Sequence, residues 1–319
     1  MRSNWLIGIL TAAVIGAPAY AAGLKLVEVP ADASGPVIPV AIWYPSADAT
    51  APVVFGPFTV SAAMHGAVSG RGLPLVILSH GRGGSFVGHH DTAEQLADAG
   101  FVVAAPDHPG DTALDKSRFS DISVYEERPL DVKRVIDYMT GASPLAAIID
   151  PGRIGLYGFS RGGYTGLVVI GANPDFTLAL PLCEGRDDKV CDQIRAGEFP
   201  KGPLTHDRRI KAAAVADPLS VFFSAGSFSG VTIPVQLWGS ETGGDGVEPR
   251  TIEAVDGWLK APHTFTRVEH AQHFSFIAVC PPELAEKAPM ICKDPPGFDR
   301  AQFHRQLNEA LTVFFREHL

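Results

Sequence analysis

The chain has 319 residues, of which 46% are hydrophobic, and it carries a formal net charge of −9 at pH 7. This apolar content is enough for one large α/β domain or two small ones, and 33 glycines with 26 prolines argue against a helical bundle. Acidic and basic residues are interspersed without a basic run, which argues against a nucleic-acid-binding protein.

The first 21 residues have the pattern of a secretory signal peptide. Arg2 supplies the positive start, residues 5–15 form the apolar core, and residues 19–21 (Ala-Tyr-Ala) fit a small-x-small cleavage site. A membrane anchor is the alternative, but this core is too short to span a bilayer comfortably. We expect cleavage after Ala21, with Ala22 as the second choice, and a periplasmic or secreted protein without stable membrane insertion.

Short apolar segments then alternate with amphipathic ones, which predicts strands separated by helices. The first two strands are expected to pair antiparallel, and residues 47–72, rich in Ala, Gly, Pro and Ser, are predicted to be a loop. Residues 173–207 interrupt the alternation and are interpreted as a loop or small cap inserted over a site. The unbroken series indicates one α/β domain over residues 22–319. The predicted strands are 24–29, 37–44, 73–79, 101–105, 154–157, 211–216, 233–238 and 264–268, and the predicted helices are 91–99, 122–139, 164–170, 249–259 and 298–319.

The four cysteines fall into two close pairs. In an exported protein, Cys183 with Cys191 and Cys280 with Cys292 are predicted to form two local disulfides that staple surface loops. Four cysteines allow three connectivities, and the sequence alone does not exclude the crossed ones. A metal site is the alternative, but no zinc-ligand spacing is found.

The most informative stretch is residues 158–162, Gly-Phe-Ser-Arg-Gly, which lies between a predicted strand and a predicted helix. A G-x-S-x-G pattern in this context is typical of a nucleophile elbow. The turn holds Ser160 in a strained backbone conformation, and a side chain at Gly158 or Gly162 would collide with a neighbouring element. The alternative is a glycine-rich turn that binds an anion at the helix N-terminus. We predict that Ser160 is a nucleophile.

A second glycine-rich loop, residues 80–84, follows the predicted strand 73–79. A loop at this position supplies one of two backbone N–H groups that bind an oxyanion, and the residue after the nucleophile supplies the other. The predicted donors are the amides of Arg82 and Arg161. An ordinary sharp turn is the alternative for this loop, and His80 is predicted to organise it rather than to act in catalysis.

A serine nucleophile needs a histidine base, which in this arrangement follows the last strand. Both His270 and His273 lie there, and His273 is favoured because an aromatic residue, Phe274, directly follows it.

The base in turn needs an acid between the serine and the histidine in the chain. Asp217 ends one predicted strand, and Asp245 lies in the loop after the next strand, four residues before Pro249. Each has a structural alternative, because Asp217 would also suit a turn before Pro218 and Asp245 would suit a helix cap. Glu241 is a third candidate, and the residues alone leave the choice open.

Three motifs, residues 80–84 (His-Gly-Arg-Gly-Gly), 158–163 (Gly-Phe-Ser-Arg-Gly-Gly) and 273–276 (His-Phe-Ser-Phe), resemble the α/β-hydrolase superfamily. More narrowly, the chain is similar to bacterial secreted relatives of platelet-activating factor acetylhydrolase, often labelled predicted dienelactone hydrolases. The resemblance implies a mostly parallel sheet with helices on both faces and Asp217 as the acid. True dienelactone hydrolases have a cysteine nucleophile, where this chain has Ser160.

These features predict a serine hydrolase that cleaves small-molecule carboxylic esters through an acyl-enzyme, with no metal or organic cofactor. A polyester or peptide-bond hydrolase with the same reacting residues is one alternative. A non-catalytic exported binding protein that retains the fold is the other.

Overall fold

The computed structural model describes residues 21–319. The signal peptide predicted for residues 1–21 therefore lies outside the described residues, except for Ala21. The described part contains ten strands: β1 (Ala21–Val29), β2 (Ile38–Ser46), β3 (Ala51–Phe55), β4 (Phe58–Met64), β5 (Leu73–Ser79), β6 (Val102–Pro106), β7 (Ile149–Phe159), β8 (Ile210–Ala216), β9 (Val235–Ser240) and β10 (His263–Val268).

These strands form one sheet in the order β10-β9-β8-β7-β5-β6-β2-β1-β4-β3. The strands from β5 to β10 pair parallel with one another, whereas β2 pairs antiparallel with β6 and β1. The mostly parallel sheet and the antiparallel opening pair are as predicted.

The same part of the chain contains eight α-helices: α1 (His90–Asp98), α2 (Val124–Thr140), α3 (Arg161–Val169), α4 (Lys189–Ala196), α5 (Pro249–Trp258), α6 (Pro282–Lys287), α7 (Pro289–Cys292) and α8 (Arg300–His318). The five predicted helices correspond to α1, α2, α3, α5 and α8, with ends displaced by up to a few residues.

Helices cover the sheet on both faces, which explains why its central strands are continuous apolar runs. In β5, Leu75 and Ile77 face one hydrophobic cluster, to which α2, α3 and α5 contribute. Val76 and Leu78 face the other cluster, to which α1 and α8 contribute. This burial fixes β5 and its parallel neighbours, so the loops at their carboxyl ends start from rigid positions.

The prediction that residues 47–72 form a loop is wrong. β3 and β4 pair there as an antiparallel hairpin around Gly56, whose φ is +55°. The buried positions of β4 are Val60, Ala62 and Ala63. Two of these three side chains are alanines, which have a weak strand preference, so the alternation of an edge hairpin is hard to distinguish from a loop.

Both predicted disulfides are present, Cys183–Cys191 and Cys280–Cys292. The first lies in the segment 173–207, which contains a 3-10 helix, Phe176–Cys183, followed by α4. Among the helices of residues 21–319, none combines the length and the hydrophobicity needed to span a membrane.

Candidate active site

Ser160 stands at the sharp turn between β7 and α3, with φ 56° and ψ −117°. A Cβ placed on Gly162 would lie 1.9 Å from the Ser79 carbonyl oxygen, and one on Gly158 would lie 2.2 Å from the Gly162 carbonyl oxygen. Neither contact is physically possible, because backbone atoms have no room to move here. The strained serine and the requirement for both glycines agree with the elbow geometry expected from the sequence.

The structure brings Ser160, His273 and Asp217 together in one hydrogen-bonded chain. His273 Nε2 lies 2.9 Å from Ser160 Oγ, and His273 Nδ1 lies 3.0 Å from Asp217 Oδ2. With the proton on Nδ1, the imidazole donates to the carboxylate and its Nε2 accepts the serine proton. The three residues are 5%, 1% and 0% exposed, respectively. This arrangement is able to transfer a proton away from the serine hydroxyl.

Asp217 is held by a residue that the sequence did not reveal, Ser240 at the end of β9. The Ser240 backbone N–H donates to Asp217 Oδ1 and its hydroxyl donates to Oδ2, both at 2.6 Å. Asp217 also has a positive φ of 42°, which turns the chain as it leaves β8. Only the strand order could have indicated this contact. β8 and β9 are parallel neighbours, so their carboxyl ends meet at the same edge of the sheet.

The other two acid candidates do not contact His273. Asp245 Oδ1 accepts a hydrogen bond from Arg82 Nη2 at 2.9 Å. Glu241 Oε2 accepts from the backbone N–H of His270 at 2.7 Å, and the His270 side chain is 73% exposed. The structure therefore places Asp217, and neither Asp245 nor Glu241, beside the imidazole of His273.

The loop that carries Asp245 supports His273 through its backbone. The His273 N–H donates to the Gly243 carbonyl at 2.8 Å, and the Gly243 N–H donates to Ser240 Oγ at 3.1 Å. Gly244 follows with φ +134°, and a Cβ there would lie 3.2 Å from His273 Cβ. The glycines of this loop thus let it pass close to the imidazole and fix its backbone.

The predicted oxyanion donors lie next to Ser160, Arg82 in the loop 80–84 and Arg161 at the start of α3. Arg161 is the first residue of α3, and a Cβ placed on Gly81 would lie 3.3 Å from Ser160 Cβ. Among residues 21–319, the backbone N–H groups of Arg82 and Arg161 have no hydrogen-bond acceptor. Two unsatisfied amides beside a serine are suited to receive a developing negative charge, and the assignment of Arg82 and Arg161 remains a prediction.

A buried carboxylate, Asp111, contacts both segments that carry the predicted oxyanion donors. Its Oδ2 accepts hydrogen bonds from Nη1 of Arg128 at 2.7 Å and of Arg161 at 2.8 Å. Its Oδ1 accepts from the Gly83 backbone N–H at 3.1 Å. Burial raises the pKa of Asp111, but the two guanidinium groups more than offset this and lower it overall. Asp111 therefore stays ionised, and the cluster retains one excess positive charge near Ser160.

The loop 80–84 is fixed further by His80, as predicted. His80 Nδ1 lies 2.7 Å from the Gly81 carbonyl oxygen, and its Nε2 accepts from the His108 backbone N–H at 3.2 Å. Burial lowers the pKa of His80 well below its usual value, so the ring is neutral and each nitrogen bonds a backbone group.

A second chain of serine, histidine and aspartate lies beneath this loop. Ser79 Oγ is 2.9 Å from His108 Nε2, and His108 Nδ1 is 3.0 Å from Asp131 Oδ2. Arg128 Nη2 donates to the same serine oxygen at 3.2 Å. Burial lowers the pKa of His108 and raises that of Asp131 to about 7. Ser79 and His108 have no exposed surface, so this chain supports the loop and does not meet a substrate.

Two comparisons at the sequence level agree with the resemblance described above. Residues 50–140 match the family model of platelet-activating factor acetylhydrolase, isoform II. The chain is also 34% identical over 100 residues to a bis(hydroxyethyl) terephthalate hydrolase from Streptomyces coelicolor. That match covers 31% of this chain and 29% of the relative.

Solved structures match over nearly the whole chain. A ferulic acid esterase from Streptomyces cinnamoneus has a TM-score of 0.66 at 21% identity, over 96% of this chain and 92% of that one. The chain has an α/β-hydrolase fold. A dienelactone hydrolase from Anabaena variabilis shares it, with a TM-score of 0.54 at 13% identity over 94% of this chain and 100% of that one. Similarity at these identities establishes the fold alone.

In this α/β-hydrolase fold, a cavity of about 240 Å³ opens beside Ser160 at the carboxyl edge of the sheet. A larger groove, about 720 Å³, lies between α1 and α8, but none of the predicted site residues lines it. Because Ser160 lines the smaller cavity, that cavity is the candidate active-site cavity. Residues 21–319 include no group of three or more His, Cys, Asp or Glu side chains arranged to hold a metal ion.

The cluster of Asp111, Arg128 and Arg161 leads to a prediction about stability. We expect Asp111→Asn to lower the free energy of unfolding by about 3 kcal/mol, because it leaves two buried guanidinium groups without their shared counter-charge. Urea unfolding followed by tryptophan fluorescence measures this change. The control is Asp150→Asn, which breaks an exposed pair with Arg153. A loss of about 1 kcal/mol or less in Asp111→Asn, the size expected for exposed pairs, would contradict this view of the cluster.

Proposed function

We propose that this chain is a serine hydrolase that cleaves carboxylic esters through an acyl-enzyme intermediate. The observation that carries the proposal is the hydrogen-bonded chain from Ser160 through His273 to Asp217, with the serine held in a strained turn. The partial matches to an acetylhydrolase family and to a terephthalate ester hydrolase support ester chemistry.

In the proposed reaction, Ser160 Oγ attacks the ester carbonyl carbon while His273 Nε2 takes the hydroxyl proton. Asp217 keeps the Nδ1 proton in place and stabilises the imidazolium. The amides of Arg82 and Arg161 hold the oxyanion. The leaving alcohol then takes the proton from His273, and a water molecule, deprotonated by the same nitrogen, releases the acid and restores the serine. The proposed substrate is a small-molecule ester, and neither a metal nor an organic cofactor takes part.

Two alternative functions are compatible with the same residues. A polyester or peptide-bond hydrolase has the same reacting groups, and the terephthalate relative makes polyester fragments a reasonable substrate to test. A non-catalytic exported binding protein is the alternative from another class. The hydrogen-bonded chain from Ser160 to Asp217 and the strained backbone of Ser160 count against it, because binding alone requires neither.

Parallel assays with p-nitrophenyl butyrate and the matching p-nitroanilide separate an ester hydrolase from a peptide-bond hydrolase. We expect the ester to be hydrolysed with the higher kcat/KM, because an alkoxide or phenolate is expelled more easily than an anilide. Preferential cleavage of the anilide would favour a peptide-bond hydrolase. If the wild type hydrolyses neither substrate above background and a fluorophosphonate probe does not label Ser160, the proposal is wrong and the non-catalytic binding protein is favoured.

We further propose that residues 22–319 form a single exported domain in which residues 173–207 cap the site. Two disulfides among the described residues support export, because such bonds persist in oxidising compartments. The position of Leu182 and Ile194 along the cavity supports the cap.

A further inference from the structure

One wall of the Ser160 cavity is built from the segment that carries the first disulfide. The apolar part of this wall consists of Leu182, Val190, Ile194 and the cystine Cys183–Cys191 itself, and the paired side chains of Arg186 and Asp188 also line the cavity. Ser160 lies in the lining of the same cavity, together with Leu219 and Phe222. An ester bound at the serine would therefore contact apolar side chains from a region outside the sheet.

This wall is formed by two short helical segments outside the sheet. It consists of the 3-10 helix Phe176–Cys183 and the eight-residue helix α4. α4 buries two side chains in the main hydrophobic cluster, Cys191 at 5% exposure and Ile194 at 3%. Gln193 Oε1 also accepts from the Ile122 backbone N–H at 3.0 Å. One of the two buried side chains of α4 is thus a half-cystine. Short segments at the edge of a core open locally at lower free-energy cost than the core itself, and a cross-link limits such opening.

The disulfide joins the end of the 3-10 helix to α4, next to two of the residues that line the cavity. Cys183 directly follows Leu182, and Cys191 directly follows Val190, so the bond sets the distance between those two lining side chains. Arg195 Nη1 donates to the Cys183 carbonyl at 2.6 Å and reinforces the same connection. Cys280 and Cys292 do not line the cavity, so the chain contains one disulfide at the site and one away from it.

We propose that the Cys183–Cys191 disulfide determines substrate selectivity by holding Leu182, Val190 and Ile194 as a fixed apolar wall. The wall restricts one substituent of the ester to a short chain or a single ring. The cavity volume of 240 Å³ is below the roughly 300–1,000 Å³ of pockets that enclose drug-sized ligands. This proposal rests on the ester-hydrolase function proposed above.

The test compares the double variant Cys183→Ala/Cys191→Ala with the wild type. We measure the ratio of kcat/KM for p-nitrophenyl butyrate to that for p-nitrophenyl octanoate, and the same ratio for acetate esters of short and long alcohols. We expect one ratio to fall by about tenfold, the lower end of what one methylene contributes to discrimination in an apolar pocket. The control, Cys280→Ala/Cys292→Ala, is expected to keep both ratios within twofold of wild type, about 0.4 kcal/mol.

A second variant, Ile194→Ala, keeps the disulfide but shortens a side chain of the wall and so enlarges the cavity. It tests the proposal even if the cysteine variant does not fold. It should shift the preference in the same series toward longer substituents. Unchanged ratios in both variants would overturn the proposal, as would an equal shift in the Cys280/Cys292 control.

A fluorophosphonate probe separates this outcome from a failure of the proposed function. Its covalent labelling of Ser160 requires the serine and the histidine, so each selectivity variant should still be labelled at that residue, and the Cys280→Ala/Cys292→Ala control should be labelled at the wild-type rate. Absence of ester turnover and of labelling in the wild type would refute the hydrolase function itself, whereas normal labelling with unchanged ratios refutes only the role of the disulfide.

Discussion

Replacing Ser160 with alanine is expected to lower kcat for ester hydrolysis by about 10⁶-fold, the loss seen when a triad nucleophile is removed. The variant keeps the elbow and the two backbone amides, so a residual acceleration of about 10³–10⁴ over water should remain from oxyanion and substrate binding. Steady-state hydrolysis of p-nitrophenyl butyrate measures the change.

The matched control for this substitution is Ser79→Ala. Ser79 also contacts a histidine that contacts an aspartate, but it has no exposed surface and accepts a hydrogen bond from Arg128. Its loss should weaken the support of the loop 80–84 and reduce kcat far less. Equal losses in the two variants would mean that a serine–histidine contact alone does not identify the nucleophile.

Replacing Asp217 with asparagine should lower kcat by about 10⁴-fold. An amide in place of the carboxylate favours the wrong tautomer of His273 and no longer stabilises the imidazolium. In the variant the Ser240 backbone N–H can still donate to the amide oxygen, and Ser240 Oγ can accept from the amide NH2 in place of its present donation. The side chain should therefore keep its position, and the loss should appear in kcat and not as unfolding. Kinetics and a urea unfolding curve measured on the same preparation separate the two effects.

Asp245→Asn is the matched control and is expected to change kcat little, because Asp245 binds Arg82 and not the imidazole. A large loss in Asp245→Asn with a small one in Asp217→Asn would reverse the assignment. Comparable partial losses would mean that one acid holds the imidazole while the other supports the loop around it. Near-wild-type kcat in both single variants and in the double variant would exclude both aspartates and point to Glu241.

The parts of the site that follow from local sequence were predictable. The elbow around Ser160 needs only a strand, two glycines and a helix in succession, and steric exclusion leaves few other conformations. His273 was favoured from the aromatic residue that follows it. The two disulfides were expected from cysteines separated by 8 and 12 residues, since short separations favour local pairing in an exported chain.

The choice of acid required the three-dimensional arrangement of the sheet. Asp217 and Asp245 follow neighbouring strands, and both side chains reach the same edge. The contact between Ser240 and Asp217 can be inferred only when β8 and β9 are placed in register. The hairpin at 51–64 was missed because two of the three buried positions of β4 are alanines, although the β-branched and aromatic residues on both sides of Gly56 gave a strand signal. The chain of Ser79, His108 and Asp131 was not foreseen, because its members come from three separate elements and no local motif connects them.

Peptide mapping after reaction with a fluorophosphonate probe tests the central assignment most directly, because the probe forms a covalent bond with an activated serine. The Ser160 assignment predicts one adduct, on the peptide that contains Ser160, and its absence in Ser160→Ala. An adduct on Ser79 or another serine, or labelling of Ser160→Ala at the wild-type rate, would contradict it.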